Sequence, residues 1–421
     1  MLKSLFKYTG YSTVDVKVSS KDKTVKILLE RKSNKSFRCH KCSSRLERLR
    51  GHHRYELNEL PVMDFKTTVM LWRYKGWCSK CQKTRNEHVD FIAKESPHYT
   101  QKYAWWLGEM CEFSTIKQAS EFNGISQSAL RNIDYKRMKK MLSKYKTPEA
   151  RWISVDEVYA RRKSHNKGES RNSKFFTVIT DLDTRKVIWV SDSRDQKGLD
   201  EYFIRIGQEA CKRIKVVAMD QHEPYRASVN QNCPNAEVVW DRFHIMQSFN
   251  EAVNDTRKDL HNKLDKDDPI KPLTRGKYRF VFTKNKSSRT SKDQKHLKSV
   301  FKMNSDFFRL ELIREAMVSF FEARDEKKAK EVLDQITFWI YDAKFIFLKR
   351  WVDKFHSKWE IAKNYFKYRV TTAVSEGINN VIKAVKRQAF GFRNMEYFKL
   401  KIMQRCGYLN SKFINDYKEL A

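Results

Sequence analysis

Three acidic residues lie where their carboxylates could share divalent cations. The stretches "ISVDE" and "VVAMD" read as buried strands that end in Asp156 and Asp220, and strand ends in an open α/β sheet commonly carry functional sites. A third acid, Glu376, opens "EGINNVIKAVKRQAFGFRN", whose other charges are all basic. Carboxylates that converge repel one another. Two Mg2+ (or Mn2+) ions would relieve that repulsion and promote phosphodiester chemistry.

A helical repeat places Glu376 on the polar face of its segment. At 3.6 residues per turn, apolar residues such as Ile378 and Val385 share one face, and Glu376 lies on the opposite face. Taken alone, this arrangement is typical of a solvated charged surface. Beside the two strand-end acids, it predicts a metal ligand followed by contacts to a phosphate backbone. The candidates for these contacts are Lys383, Lys386, Arg387 and Arg393.

Two matched cysteine pairs form a second candidate site. "CHKC" contains Cys39 and Cys42, and "CSKC" contains Cys78 and Cys81. Each C-x2-C pair can present two thiolates to one tetrahedral zinc ion, and four thiolates leave no position open for a substrate. The alternative, four unrelated buried thiols, does not explain the matched spacing. The sequence therefore predicts one structural Zn2+ in a reducing compartment.

The charge of the chain predicts a polyanionic partner. The 421 residues include 86 Lys and Arg against 51 Asp and Glu, a formal net charge of +35, and 40% of them are hydrophobic. Solubility alone would need a net charge of only about 2–8 in a small domain, so nucleic acid is the leading partner. No apolar run reaches the length of a membrane span, so we expect a cytoplasmic, nucleoid-associated protein without a membrane partner.

The residues before Asp156 divide into two segments with different predicted secondary structure. Residues 1–95 read as short strands around both cysteine pairs and predict a small β-rich zinc-binding domain. Residues 96–148 have a helical period. Within them, "STIKQASEF", a turn and "SQSALRNIDYKRMKK" resemble a helix-turn-helix, with Ser114 or Thr115 as the first cap. Asn123 stands where the usual pattern has glycine, and asparagine tolerates the left-handed conformation.

The helix-turn-helix interpretation makes Gln127, Ser128 and Arg131 the residues that face a DNA groove. An ordinary helical hairpin is the alternative, because the motif alone is not specific. The next segments predict an α/β core over residues 149–262, an all-α insertion over 263–365 and a second part of the core with a C-terminal tail over 366–421. A basic stretch within the insertion, residues 271–300, is either a linker or a surface for the DNA backbone.

Four motifs together resemble those of bacterial insertion-sequence transposases of the ISL-three family. They are "DE" after the first strand, "MD" after the second, "DRFH" after the third and "EGINNVIKAVKRQAFGFRN". The resemblance implies a DDE core of ribonuclease-H-like fold with a helical insertion, preceded by a zinc-binding segment and a helix-turn-helix. It also implies that Asp156, Asp220 and Glu376 are the catalytic acids, supported by Asp241 and His244. Glu157, His222 and Glu223 lie nearby but are not expected to be ligands.

The function implied is metal-dependent DNA transposition. Such an enzyme binds the terminal inverted repeats of its own element, cleaves DNA and transfers the strand to target DNA, as a homodimer or larger assembly that pairs two ends. The rival is a catalytically inactive, transposase-derived regulator that binds specific DNA sequences. A nuclease of the same fold would share the metals but would have no use for the end-binding segments.

Overall fold

The chain folds as a mixed α/β protein with two compact units. The computed structural model describes residues 6–94, 96–160, 174–284, 286–370 and 373–414, so the expected tail beyond residue 414 lies outside the described residues. The first unit comprises Met1–Lys146 and Ile382–Ala421, and the second comprises Thr147–Val381. The sequence interpretation had grouped residues 366–421 with the core.

The first unit begins with a five-stranded sheet. Its strand order is β1-β2-β4-β3, with β5 paired to β4. Every pair is antiparallel except β2 and β4. Along β2 the residues Val25, Ile27 and Leu29 are buried and their neighbours are not, which is the period of two expected of a half-buried strand. The strands are β1 (Tyr11–Ser19), β2 (Thr24–Arg31), β3 (Arg48–Val62), β4 (Phe65–Cys78) and β5 (Lys83–Asn86).

Three capped helices follow this sheet, namely α1 (Gln101–Phe113), α2 (Ile116–Asn123) and α3 (Gln127–Lys144). Thr115 caps α2 with a capping box, and Ser126 caps α3 by accepting a hydrogen bond from the amide of Ala129. Gly124 takes the left-handed conformation at the turn, with φ of 63°, and Asn123 ends the helix before it. Glycine pays no Cβ penalty in that conformation, which is why it and not Asn123 occupies the position.

The C-terminal helix α15 (Met395–Cys406) packs on α3 within the first unit. Asp134 of α3 is fully buried, and its Oδ2 atom accepts hydrogen bonds from the Tyr397 hydroxyl at 2.6 Å and from Lys401 Nζ at 2.9 Å. Lys401 Nζ also donates to the carbonyl oxygen of Cys111 at 2.8 Å. A buried carboxylate is costly unless it is paired and hydrogen-bonded, and these contacts meet that requirement.

The second unit is built on a sheet of order β10-β9-β6-β7-β8. Strands β6, β7 and β8 are antiparallel neighbours, whereas β6, β9 and β10 are parallel. The strands are nearly continuous apolar runs, as expected of a sheet covered on both faces. Their bounds are β6 (Trp152–Tyr159), β7 (Phe175–Asp181), β8 (Lys186–Ser191), β9 (Val216–Met219) and β10 (Glu237–Trp240).

Helices alternate with these strands in the order that the sequence predicts, with one additional short helix. They are α4 (Gln196–Ile206), the additional α5 (Gln208–Arg213), α6 (Glu223–Asn232) and α7 (Arg242–Lys263). Tyr225 of α6 lies against one face of the sheet, where its hydroxyl is 2.7 Å from Thr177 Oγ1 of β7. The sheet and its helices therefore fix the positions of the residues at the strand ends.

The regular secondary structure that the structure describes in the predicted insertion is helical. Short 3-10 turns lead into helices whose apolar faces form a core of phenylalanine and aliphatic side chains, including Phe307, Ile313 and Ile336. Trp351 Nε1 donates to Ser248 Oγ of α7 at 3.0 Å. The helices are α8 (Ser291–Met303), α9 (Ser305–Glu322), α10 (Glu326–Asp342), α11 (Ile346–His356), α12 (Trp359–Ala362) and α13 (Asn364–Tyr368), and α14 (Ala373–Gln388) follows. No described helix is long and apolar enough to cross a membrane.

Candidate functional site

Three aspartates lie where adjacent parallel strands stop pairing. Val155 of β6 is opposite Met219 of β9, so the next residues, Asp156 and Asp220, follow at the same level of the sheet. Asp241 directly follows β10, and its amide donates to the carbonyl oxygen of Met219 at 2.8 Å. The sequence predicted that Asp156 ends its strand, and this prediction is wrong, because β6 continues to Tyr159 beside β7. Its pairing with β9 nevertheless ends at the preceding residue.

Asp156 is held by two hydrogen bonds. Its Oδ1 atom accepts from the amide of Glu157 at 2.7 Å, and its Oδ2 atom accepts from Nδ2 of Asn379 at 2.7 Å. Burial raises the pKa of Asp156, and the charge of Asp220 adds to the rise, although the two hydrogen bonds and His244 oppose it. The net result is a carboxyl that ionises less readily than an exposed aspartate.

Asp220 has a similar environment. Burial raises the pKa of Asp220 and the charge of Glu157 raises it further, whereas His222 and His244 lower it. Its Oδ1 atom accepts a hydrogen bond from the amide of His222 at 3.2 Å. Two partly desolvated carboxyls with raised pKa values lie in one electrostatic environment, which is how a site that binds cations is commonly built.

Helix α14 brings Glu376 to this end of the sheet. Ser375 Oγ lies 2.8 Å from Ser154 Oγ in a buried contact, and Asn379, one turn after Glu376, donates to Asp156. Ser154 and Asp156 share one face of β6, so the first two turns of α14 lie along that face. Glu376 itself is exposed. Among the described residues the three acids do not form a group of ligands close enough to share one ion.

Asp241 and His244 lie at the start of α7. Asp241 caps the helix by accepting from the amide of Phe243 at 2.9 Å, and its Oδ2 atom is 3.7 Å from His244 Nε2. His244 is close enough to lower the pKa values of both Asp156 and Asp220. The imidazole therefore belongs to the same electrostatic environment as the two acids.

The three nearby residues that were not expected to be ligands have other contacts. Glu157 forms an ion pair with Arg194, at 2.9 Å between Oε2 and Nη1. Glu223 pairs with Arg226 on the surface of α6. The His222 ring packs against Tyr225, with 4.8 Å between the ring centroids.

The four cysteines of the two C-x2-C motifs lie close together in the first unit. Their sulfur atoms all lie within 4.8 Å of one another, with 3.4 Å between Cys42 and Cys78 and 3.9 Å between Cys39 and Cys81. A tetrahedron with zinc–sulfur bonds of about 2.3 Å has edges of about 3.8 Å, so the spacing fits a metal ion. Hydrogen bonds from Ser44 lower the pKa of Cys42, which favours its thiolate, whereas burial raises the pKa of Cys78. This cluster could hold zinc.

A cleft in the first unit brings together residues from distant parts of the sequence. Gln127 and Arg131 of α3 line it on one side, and Arg393 lines it from the segment before α15. Its volume is about 670 Å³. Ser128 begins the same helix but is not among the lining residues, and Lys383 and Arg387 are exposed on α14. Three of the seven predicted DNA contacts, Gln127, Arg131 and Arg393, thus line the same cleft.

Sequence reasoning missed Asn379, which holds Asp156, and the buried pair Ser154 and Ser375. Asn379 is three residues after Glu376, so helical spacing alone could have marked it as facing the same partner. The serine pair joins positions 221 residues apart and carries no local pattern.

Comparison with known proteins identifies the family to which the chain belongs. A family model of DDE transposases, the ISL3 (ISL-three) group, matches residues 153–402. That range includes Asp156, Asp220, Asp241, His244 and Glu376. The chain therefore belongs to the ISL3 family of transposases.

Individual relatives agree with this family. The chain is 22% identical over 411 residues to the transposase for insertion sequence element IS1001 of Bordetella parapertussis, and the match covers 96% of this chain and 97% of that protein. It is also 22% identical over 267 residues to the transposase for insertion sequence element IS1557 of Mycobacterium tuberculosis, covering 58% of this chain and 57% of the relative.

Proposed function

We propose that the protein binds the terminal inverted repeats of its insertion sequence and catalyses metal-dependent cleavage and strand transfer of double-stranded DNA. The hydrogen bond from Asn379 to Asp156 is the main support. It anchors the helix of Glu376 at the place where Asp156 and Asp220 follow paired strand positions. A regulator that only binds DNA would have no use for this arrangement of acids.

The proposed fold of the core is ribonuclease-H-like, and the sequence interpretation places this core at residues 149–262 and 366–421, of which Ile382–Ala421 belong to the first compact unit of the structure. If the five strands of the second sheet are numbered 1 to 5 along the chain, they lie across the sheet in the order 3-2-1-4-5. Strands 1, 2 and 3 are antiparallel neighbours, and strands 4 and 5 run parallel to strand 1. This order supports the assignment. The remaining proposed domains are a zinc-binding domain (1–95), a helix-turn-helix domain (96–148) and an all-α insertion (263–365).

Two Mg2+ or Mn2+ ions are the proposed cofactors, held by Asp156, Asp220 and Glu376. Held there, the ions would supply activation of an attacking water or 3′-hydroxyl and stabilisation of the leaving oxygen. The raised pKa values of Asp156 and Asp220 fit this role, because a cation beside them would favour their ionised forms. Asn379 donates a hydrogen bond that orients Asp156, and His244 lowers the pKa values of both aspartates.

The remaining proposed assignments concern DNA, assembly and zinc. Gln127, Ser128 and Arg131 would contact the element ends, and Lys383, Lys386, Arg387 and Arg393 the phosphate backbone. A homodimer or larger assembly would pair two ends in the cytoplasm, associated with the nucleoid. One structural Zn2+ would hold Cys39, Cys42, Cys78 and Cys81 together.

The test uses the purified variants Asp156→Asn, Asp220→Asn and Glu376→Gln with DNA that carries the element ends. Each variant should lose Mg2+-dependent cleavage and strand transfer while it keeps end binding, because only the ligand charge is removed. Glu223→Gln is a matched control, since this neighbouring acid pairs with Arg226 and should be dispensable. Normal cleavage by one of the three variants would remove that residue from the site, and absence of cleavage by the wild type would favour the inactive regulator.

A further inference from the structure

Phe390 is presented to solvent in an unusual way. It is 99% exposed and has a positive φ of 52°, and Gly391 follows with φ of 96°. A left-handed residue directly after a helix is most often glycine, because other residues are strained there. A large apolar side chain at such a position gains nothing from the fold of the described residues. Its exposure therefore favours a role in contact with a partner.

The segment that carries Phe390 is well anchored. The amides of Phe390 and Gly391 donate to the carbonyl oxygens of Arg387 and Lys386 at 3.0 and 2.9 Å. Phe392 stacks on Phe398, with 4.5 Å between the ring centroids and 14° between the rings. Phe392 thus fastens the segment to α15 while Phe390 projects from it.

The surroundings of Phe390 fit a polyanion. Phe390 lines the cleft described above together with five basic residues, and none of the described residues that line it is acidic. Arg131 and Arg393 form no ion pair within the described parts of the chain, whereas Lys401 is paired with Asp134. The basic lining residues are Lys117, Arg131, Arg393, Lys401 and Arg405.

We propose that Phe390 stacks on a base of DNA bound at this cleft and unstacks that base from its neighbour. Apolar side chains inserted between base steps, beside cations that hold the phosphates, are a known means of distorting DNA. An aromatic ring suits any base, so this contact would add affinity without reading sequence. The inference rests on the proposed binding of element ends and adds a contact that distorts them.

The test compares Phe390→Ala, Phe390→Trp and the control Met63→Ala. Met63 is 92% exposed with φ of 55° in a turn of the same unit, but it does not line the cleft. Affinity for end duplex is measured together with permanganate reactivity of thymines, which reports unstacked bases. Phe390→Ala should bind roughly 5- to 150-fold more weakly and lose the reactive thymine, from the ~1–3 kcal/mol of one aromatic stack. Phe390→Trp and Met63→Ala should behave as the wild type.

A mismatched pair at the reactive position should raise the affinity of the wild type more than that of Phe390→Ala, because only the wild type unstacks the base and the cost of unstacking is then lower. Equal affinity and an unchanged permanganate pattern in Phe390→Ala would overturn the stacking proposal. An equal loss of affinity with Met63→Ala would overturn it as well. If the wild type itself does not bind end DNA, the proposed function fails, and the two failures are thereby distinguished.

Discussion

At the scale of single residues, Asn379 is the most informative position near the proposed site. It donates to Asp156 at 2.7 Å and opposes the rise in the pKa of that carboxyl. Sequence patterns identify Asp156 and Asp220 because apolar runs that end in acids are visible locally. They do not identify the partner of Asp156, because that contact joins residues 223 positions apart.

We expect Asn379→Ala to reduce cleavage roughly 10- to 100-fold with little effect on end binding, since a hydrogen bond to a charged group contributes about 1.5–3 kcal/mol. The loss of a donor to the ionised form should raise the pKa of Asp156 further. The acid limb of the pH–rate profile should therefore move to higher pH, because the carboxylate must be ionised to bind metal. Cleavage kinetics across pH measure both effects.

Asn380→Ala is the matched control, because Asn380 is the exposed neighbour on the same helix. Its rate and pH profile should equal those of the wild type. A rate loss in Asn379→Ala without a shift of the acid limb would argue that the residue has only a structural role.

Gly377 shows a different limit of sequence reasoning. A Cβ atom at this position would meet no heavy atom within 4 Å, so packing within the chain does not require glycine there. Since glycine destabilises a helix interior by about 1 kcal/mol, nothing in the fold of the described residues explains it.

At the scale of elements, the sequence predicts periodic and capped segments well. Strands β6, β9 and β10 appear as short apolar runs, and Thr115, one of the two residues predicted as the cap, does cap α2. What local patterns cannot supply is how the elements pair. The attachment of α15 to α3 depends on Lys401 and Asp134, which are charged residues that a periodic pattern would place on a solvated surface.

The segment with the four clustered cysteines gives a testable prediction at the scale of elements. Purified protein should contain one zinc ion per chain, and Cys39→Ser should lose it and unfold the connection between β2 and β3. The reason is that the buried cluster of Cys39, Leu46 and Cys78 contains few other apolar groups. Metal analysis and limited proteolysis measure the two effects.

Cys406→Ser is the control for this prediction, because Cys406 lies outside the four-cysteine cluster. It should keep the zinc. A full complement of zinc in Cys39→Ser would show that the four sulfur atoms are not the ligands.

At the scale of the whole molecule, the net charge of +35 predicts non-specific binding to DNA. Each phosphate contact releases counterions, so affinity falls steeply with salt. Arg387→Ala should lower the slope of log affinity against log salt by about 1 if Arg387 contacts a phosphate. Lys21→Ala, a change in the exposed turn between β1 and β2, should leave the slope unchanged. The same slope in both variants would exclude the contact.

The buried hydroxyl pair of Ser154 and Ser375 has a consequence for biosynthesis. The 221 positions between them take roughly 10–45 s to translate at about 5–20 residues per second. During that interval β6 has emerged but the helix that covers it has not. The buried hydrogen bond between Lys401 and Asp134 likewise cannot form until Lys401 has been synthesised, which happens later than Ser375. A ribosome that stops before the codon of Ser375 releases a polypeptide in which neither arrangement can form, and one that stops between Ser375 and Lys401 prevents the second, so late nonsense or frameshift mutations in the gene should yield inert products.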